Sequence, residues 1–230
     1  MTEVTEVVEQ VEEAGVVTTP LVGLRRTAAR RMVKAWEAPV FHLGVDVDMT
    51  AALARKGSGI TVSDVLLLAC ATALRAHPRL NAWYGDEAVT VVDDINIGLA
   101  VATDAGLVVP VVHRVGALDL EGVAAARRDV VERARIGKLA MVDVTKGTFT
   151  VSNLGMLGID DFDAILNVPQ VAILAVSSTR QQQVWTPEGP VWKPIARFTL
   201  TCDHRAVDGA TGARFLGELR AELERGFEPA

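Results

Sequence analysis

What most constrains the fold of this chain is a strand-like run that passes, without a spacer, into a tight polar turn and then a helical run. Residues 196–202 read as a strand, Asp203-His204-Arg205-Ala206-Val207-Asp208-Gly209 follows, and residues 211–225 read as a closing helix. That succession belongs to an α/β chain. A histidine, a carboxylate four residues on and a glycine at a strand exit can make an oriented base. Imidazole titrates near pH 6.5, and a neighbouring group can fix its tautomer. Gly209 would relax a tight backbone there. Taken alone, the same spacing fits a turn in which His204 is a half-buried hydrogen-bonded residue and Asp208-Gly209 is turn chemistry.

The rest of the chain supplies the layers. Residues 24–36 read as a helix that stops before Ala38-Pro39, because the residue before proline avoids the helical region. Residues 41–49 alternate Phe41, Leu43, Val45 and Val47 against His42, Gly44, Asp46 and Asp48, as a half-buried strand does. Thr61-Val62-Ser63-Asp64 caps a long apolar helix ending at His77-Pro78. Residues 89–92, 95–103 and 108–113 read as strands, with Thr103-Asp104-Ala105-Gly106 as a hairpin turn. Residues 119–138 form a helix with exposed charges. Residues 147–152 form a short strand that breaks into Asn153-Leu154-Gly155, residues 171–177 a buried strand, and residues 184–192 a hairpin around Pro187-Glu188-Gly189. Strands and helices mix without strict alternation, which predicts one α/β sandwich with a mixed sheet. Residues 1–20 are acidic and lack clear periodicity, so they read as a loosely ordered arm.

Half of the residues are hydrophobic and only 5% aromatic, which suits well-covered strands. A net charge of −6 argues against nucleic acid. The cluster Arg25, Arg26, Arg30, Arg31 and Lys34 reads as a solvated helix face. Cys70 and Cys202 lack metal-ligand spacing and read as reduced core residues. The start Met1-Thr2-Glu3-Val4-Thr5-Glu6 is acidic, unlike a secretory signal. The longest apolar stretch, residues 65–74, is too short to span a membrane. These features predict a cytoplasmic protein without metal or membrane partners. His42 and His113 read as polar surface or interface residues, and His77 as a helix C-terminal group.

A second segment, Gly147-Thr148-Phe149-Thr150-Val151-Ser152-Asn153-Leu154-Gly155, ends a strand in a bend that exposes a hydroxyl and several N–H groups. It suits a Ser-Asn turn, or a donor to a developing oxyanion. Six segments together carry a resemblance. Besides 203–209 and 147–155 they are Leu24-Arg25-Arg26-Thr27-Ala28-Ala29-Arg30-Arg31-Met32, Asn96-Ile97-Gly98-Leu99-Ala100-Val101-Ala102-Thr103, Gly106-Leu107-Val108-Val109-Pro110-Val111 and Asn167-Val168-Pro169-Gln170. In this order they resemble the catalytic domain of the dihydrolipoamide acyltransferases, the core components of 2-oxoacid dehydrogenase complexes. That family shares a fold with chloramphenicol acetyltransferase.

The resemblance implies a chloramphenicol acetyltransferase-like two-layer sandwich over residues 21–230, with acetyl-CoA as co-substrate. It makes His204 the base that deprotonates the acceptor and Ser152 the donor to the tetrahedral oxyanion. Asp208 braces the histidine loop, with Arg25 or Arg31 as its partner, and Gly209 and Asn153 support the site. It also implies homotrimers whose sites lie between subunits; a monomer is the alternative. The chain shows no lipoyl-lysine region and a polar C-terminus. The expectation is therefore a stand-alone O-acetyltransferase acting on a small-molecule hydroxyl, similar to the tetronate enzymes of antibiotic biosynthesis. The alternatives are a dihydrolipoamide acyltransferase core acting on a lipoyl domain, and a catalytically silent scaffold subunit.

Overall fold

The computed structural model describes residues 11–13 and 16–225. In chain order the elements are β1 (Val11–Glu13), β2 (Val16–Thr18), α1 (Gly23–Ala35), β3 (Val40–Asp48), α2 (Thr50–Ala54), α3 (Val62–Ala76), β4 (Ala82–Gly85), β5 (Ala88–Val91), β6 (Ile97–Leu99), β7 (Val101–Thr103), β8 (Gly106–Val108), β9 (Val111–Val112), α4 (Leu120–Arg135), β10 (Phe149–Asn153), β11 (Ala172–Val176), β12 (Arg180–Thr186), β13 (Gly189–Asp203) and α5 (Gly209–Glu224). Seven strands form the main sheet in the order β12-β13-β11-β10-β6-β9, with β3 also paired to β13. The β10 pairings with β11 and β6 are parallel and the others antiparallel, giving the mixed sheet expected. Within the acidic arm, β1 and β2 pair only with each other, and residues 1–10 lie outside the described residues.

The two faces of the sheet differ in chemistry, and register shows how. Phe149 and Val151, Leu174, Phe198, Leu200 and Cys202 point to one side and join a core completed by Leu67, Leu74, Phe215 and Leu219 of α3 and α5. On the other face the same strands present Thr150 and Ser152, Ile173 and Ala175, Thr199 and Thr201, with His42 opposite Thr201. A small cluster of Ala35, Ala38, Ala164, Leu166, Ile173 and Ala175 covers part of this second face. Two layers result: sheet and helices, with a polar face only partly roofed.

Local chemistry fixes the helix ends. Asp119 accepts from Gly122 N (2.8 Å) and starts α4. At the start of α3, Asp64 accepts from the backbone and hydroxyl of Thr61 (2.7 and 2.8 Å) and from Arg127 of α4, which ties the two helices. Burial pushes the Asp64 carboxyl up; the Arg127 and Thr61 hydrogen bonds and the Arg127 charge outweigh it, and the net shift is downward.

Three sequence expectations change. The run 95–103 splits at Ala100: β6 stays in the main sheet, while β7 pairs with β8 in a separate hairpin. The run 108–113 splits likewise, since Pro110 has no N–H to extend a ladder and instead accepts from Leu99 N (2.8 Å). The hairpin at 184–192 is one end of a larger ribbon, in which β13 runs unbroken for 15 residues into the polar turn. The strand β4 had no sequence signal. Its two-residue turn to β5 uses Asp86 and Glu87 at φ 50° and 58°, where Asn-Gly would have announced the turn.

Candidate active site

The loop carrying His204 is held from four directions. The N–H of His204 donates to Pro39 O (2.9 Å) and that of Asp203 to Val171 O (2.9 Å). Arg79 Nε donates to Ala206 O at 2.8 Å. Arg205 forks onto Asp203, with Nε to Oδ1 at 2.9 Å and Nη2 to Oδ2 at 2.7 Å. The Arg205 guanidinium also lies over the Tyr84 ring, 4.0 Å from its centre. Asp203 is only 2% exposed, whereas the Arg205 side chain remains open to solvent, so the fork anchors the guanidinium on a buried carboxylate while its outer side is hydrated. The His204 side chain is exposed, and its ring packs against Phe41 with centroids 4.6 Å apart. Thus a rigid loop presents a solvent-accessible imidazole at one end of the sheet.

Asp208 begins α5. Its carboxylate accepts from Thr211 N at 2.7 Å, an N-cap that satisfies an otherwise free helical donor. That bond, then the Thr211 side chain and the charges of Arg214 and His204, hold its carboxyl below the ordinary aspartate value. Among the described residues neither α1 arginine touches Asp208. Arg25 reaches the carbonyl of Asp104 (3.5 Å) in the β7–β8 turn, and Arg31 lines a cleft with Trp83, Lys146 and Gln170. The single-chain brace of Asp208 is therefore its own helix end. Gly209 has no left-handed φ, and an added Cβ would meet nothing within 4 Å, so local strain does not demand glycine there.

Ser152 lies in β10, half-buried, on the polar face. The turn after it is pinned. Asn153 Oδ1 accepts from Gly155 N (2.9 Å), Leu154 N donates to Val176 O (3.1 Å), and Ser178 Oγ donates to Gly155 O (3.0 Å). A Cβ on Gly155 would lie 2.7 Å from the carbonyl oxygen of Ser177, so glycine is sterically required. Two residues before Ser152, the Thr150 hydroxyl donates to the buried Gln170 Oε1 at 2.6 Å, and Asn167 Nδ2 donates to that hydroxyl at 3.2 Å. The Asn167-Val168-Pro169-Gln170 segment thus fixes the height of β10.

Register keeps the two candidate residues apart. Ser152 is level with Ala175 and hence with Thr199, four residues before Asp203, and two strands away from β13. With strands about 4.8 Å apart and about 3.3 Å per residue, Ser152 and the histidine loop are roughly 16 Å apart. One chain does not bring them together.

Sequence reasoning missed the residues that hold the loop. Arg79 and Tyr84 reach the loop only in the tertiary structure, whereas Asp203 and Arg205 pair locally, and their Asp203-x-Arg205 spacing within the quoted turn was the available signal. His42 faces Thr201 Oγ1 (2.9 Å) and Asp163 (3.7 Å) on the polar face, and His113 contacts Val142 O (2.9 Å). His77 closes α3 as expected.

The mixed sheet, covered by helices on one face and partly roofed on the other, with a histidine turn at one end and a serine bend at the other, has the fold of the chloramphenicol acetyltransferase type. A chloramphenicol acetyltransferase structure superposes with a TM-score of 0.60 at 14% identity over 84% of this chain and 94% of its own, which is a likeness of fold. Residues 13–228 match the 2-oxoacid dehydrogenases acyltransferase (catalytic domain), and the chain belongs to that family. It is similar to the acetyltransferase component of the mitochondrial pyruvate dehydrogenase complex of Schizosaccharomyces pombe, 38% identical over 91% of this chain and 46% of that protein. It is also similar to the component of the acetoin cleaving system of Bacillus subtilis, 32% identical over 92% of this chain and 55% of that protein. The chain spans about half the length of these relatives.

Among solved structures, a probable dihydrolipoamide acetyltransferase of Listeria monocytogenes superposes with a TM-score of 0.88 at 30% identity, covering 92% of this chain and 96% of that one. The Azotobacter vinelandii dihydrolipoamide acetyltransferase gives 0.86 at 31% identity, with 91% of each chain covered. It was studied for the roles of a serine, a histidine and an asparagine in its catalytic mechanism, spaced 52 and 4 residues apart, the spacing of Ser152, His204 and Asp208. These relatives overturn the expectation of a stand-alone enzyme acetylating a tetronate-type alcohol in antibiotic biosynthesis. They are acetyltransferase components of dehydrogenase and acetoin systems, and the small-molecule acceptor falls with that expectation. The physical reason is that no residue of the site marks the acceptor as an alcohol. No helix among the described residues is long and apolar enough to cross a membrane.

Proposed function

We propose that residues 21–230 are the catalytic domain of a dihydrolipoamide acetyltransferase, which moves an acetyl group between coenzyme A and a dihydrolipoyl thiol. His204 takes the proton from the attacking thiol, and the thiolate sulfur bonds to the acetyl carbon. Ser152 Oγ–H donates to the oxygen as it gains negative charge. The intermediate then releases the other sulfur as a thiolate, which takes from the imidazolium the proton that the attacking thiol gave up. Asp208 supplies negative charge near that imidazolium while capping α5, and Asn153 and Gly209 complete the two turns. Because both thiols meet at one site, no covalent enzyme intermediate is required.

The observation that carries this reading is the Ser152, His204 and Asp208 spacing shared with the Azotobacter enzyme. The separation within one chain supports a site shared by two subunits of a closed ring, with His204 from one and Ser152 from the next; a trimer fits this arrangement. The test is coenzyme A release from acetyl-CoA with dihydrolipoamide, free or on a lipoyl domain. Transfer that disappears in His204→Ala is expected. Absence of transfer to either acceptor, with an alcohol acetylated instead, refutes the assignment.

A further inference from the structure

A cleft of about 340 Å³ opens where the residues leading into β10 and β11 meet α1 and β4. Arg31 of α1 and Lys146, just before β10, line it, and among the described residues no Asp or Glu does. Neither cation makes an ion pair among the described residues. In a chain of net charge −6, a cleft that holds uncompensated cations and no carboxylate is a place for an anion.

A buried side chain adds a donor. Gln170 is 4% exposed and lines the same cleft. Its Oε1 accepts from the Thr150 hydroxyl at 2.6 Å, which leaves Nε2 to point elsewhere. Nε2 has no hydrogen-bond partner among the described residues, yet it is not sealed from solvent, as Arg55 Nε and Asn81 Oδ1 are. Gly147, also on the cleft wall, keeps that amide open, since an added Cβ would lie 2.8 Å from Nε2. A fixed donor without a partner calls for an acceptor. Lys146 itself sits at φ 58°, and its carbonyl accepts from Asn96 Nδ2 at 3.0 Å. Glycine or asparagine would make this left-handed turn with less strain, so the turn alone does not call for a lysine.

We propose that this cleft binds a phosphate monoester carried on a small organic body. Arg31 and Lys146 donate to the phosphate oxygens, one as a planar fork and the other as a point charge, and Gln170 Nε2 adds a neutral donor. A carboxylate would leave one cation unmatched, whereas a phosphate monoester carries a charge of about −1.5 to −2 at neutral pH. The volume has room for more than a bare phosphate, and Trp83, Val144 and Val168 give the organic body an apolar wall. Neither Ser152 nor His204 lines the cleft, so it is separate from the residues of acetyl transfer. Free phosphorylated metabolites and the 3′-phosphate of coenzyme A share this chemistry, and only the second source rests on the acetyltransferase reading.

The experiment is calorimetric titration of the assembled protein with glycerol 3-phosphate, glucose 6-phosphate and adenosine 3′-phosphate, with acetate as a single-charge probe. At least one ester binds saturably, and acetate binds at least about tenfold more weakly. Lys146→Gly removes the charge while suiting the left-handed backbone, and Arg31→Gln changes an exposed helix face; each weakens that ester at least about tenfold. Lys146→Arg retains it. Displacement of the ester by coenzyme A but not by dephospho-coenzyme A assigns the 3′-phosphate as the source, and displacement by neither assigns a free metabolite. The proposal fails if no ester binds, if acetate binds as well as the best of them, or if both charge-removing variants bind as the parent does. Equal displacement by coenzyme A and its dephospho form overturns the monoester assignment.

Discussion

Mixing two crippled variants, His204→Ala and Ser152→Ala, tests the shared site directly. Removing a general base costs about 10²–10⁴-fold in turnover. Removing an oxyanion donor costs about 10²–10³-fold, or about 2.7–4 kcal/mol. Each variant alone is therefore nearly inactive. The register puts Ser152 level with Thr199 and two strands from β13, so His204 and Ser152 of one chain lie too far apart to act on one carbonyl. If the site pairs His204 of one subunit with Ser152 of the next, a ring assembled at random from equal amounts contains intact sites. The Ser152→Ala chain supplies the histidine in half of the positions, and the His204→Ala chain supplies the adjoining serine in half, so about one quarter of sites are whole. Co-refolded mixtures should thus show about a quarter of parental coenzyme A release, and unmixed controls almost none. A mixture no more active than its separate components would refute the reasoning, because it would mean that neighbouring chains do not share residues.

Gly155→Ala and Gly209→Ala should behave oppositely. The first forces a Cβ against the Ser177 carbonyl 2.7 Å away and should cost about 1–3 kcal/mol with a loss of turnover, read by urea midpoint and assay. The second meets nothing within 4 Å, and its stability should change by less than about 1 kcal/mol. Asp64→Ala removes the buried carboxylate under Arg127 and Thr61 and should destabilise by about 3–5 kcal/mol in the same unfolding measurement. Asp48, Asp64, Asp143 and Asp208 all have folded-state values below the ordinary 3.8, so the stability they contribute is complete above that pH and lost below it. Chemical denaturation across the acid range should show a decline starting near the ordinary aspartate value, with a shallower slope in Asp208→Asn.

Much of the fold was readable in the residues. Helices α3 and α4 carry their start signals at Thr61 and Asp119, and β3 announces itself by alternation. His204, Asp208 and Ser152 could be proposed from the residues alone because the first two share a short polar turn and the third ends a strand before a Ser-Asn bend, each written in consecutive residues. The acceptor was misjudged because nothing in those turns encodes it. The hairpin of β4 and β5 was invisible because positive φ fell on Asp86 and Glu87, which mark such turns far more weakly than glycine.

The chain's own order of residues determined which strands have a polar face, where helices begin and which imidazole stands at a strand exit, since each depends on neighbours a few positions away. Only the tertiary structure decided that Arg79 and Tyr84 clamp the histidine loop, and that Ser152 lies two strands and four residues away from it. Strand order and register bring together or separate residues far apart in the chain, and no local pattern carries that distance.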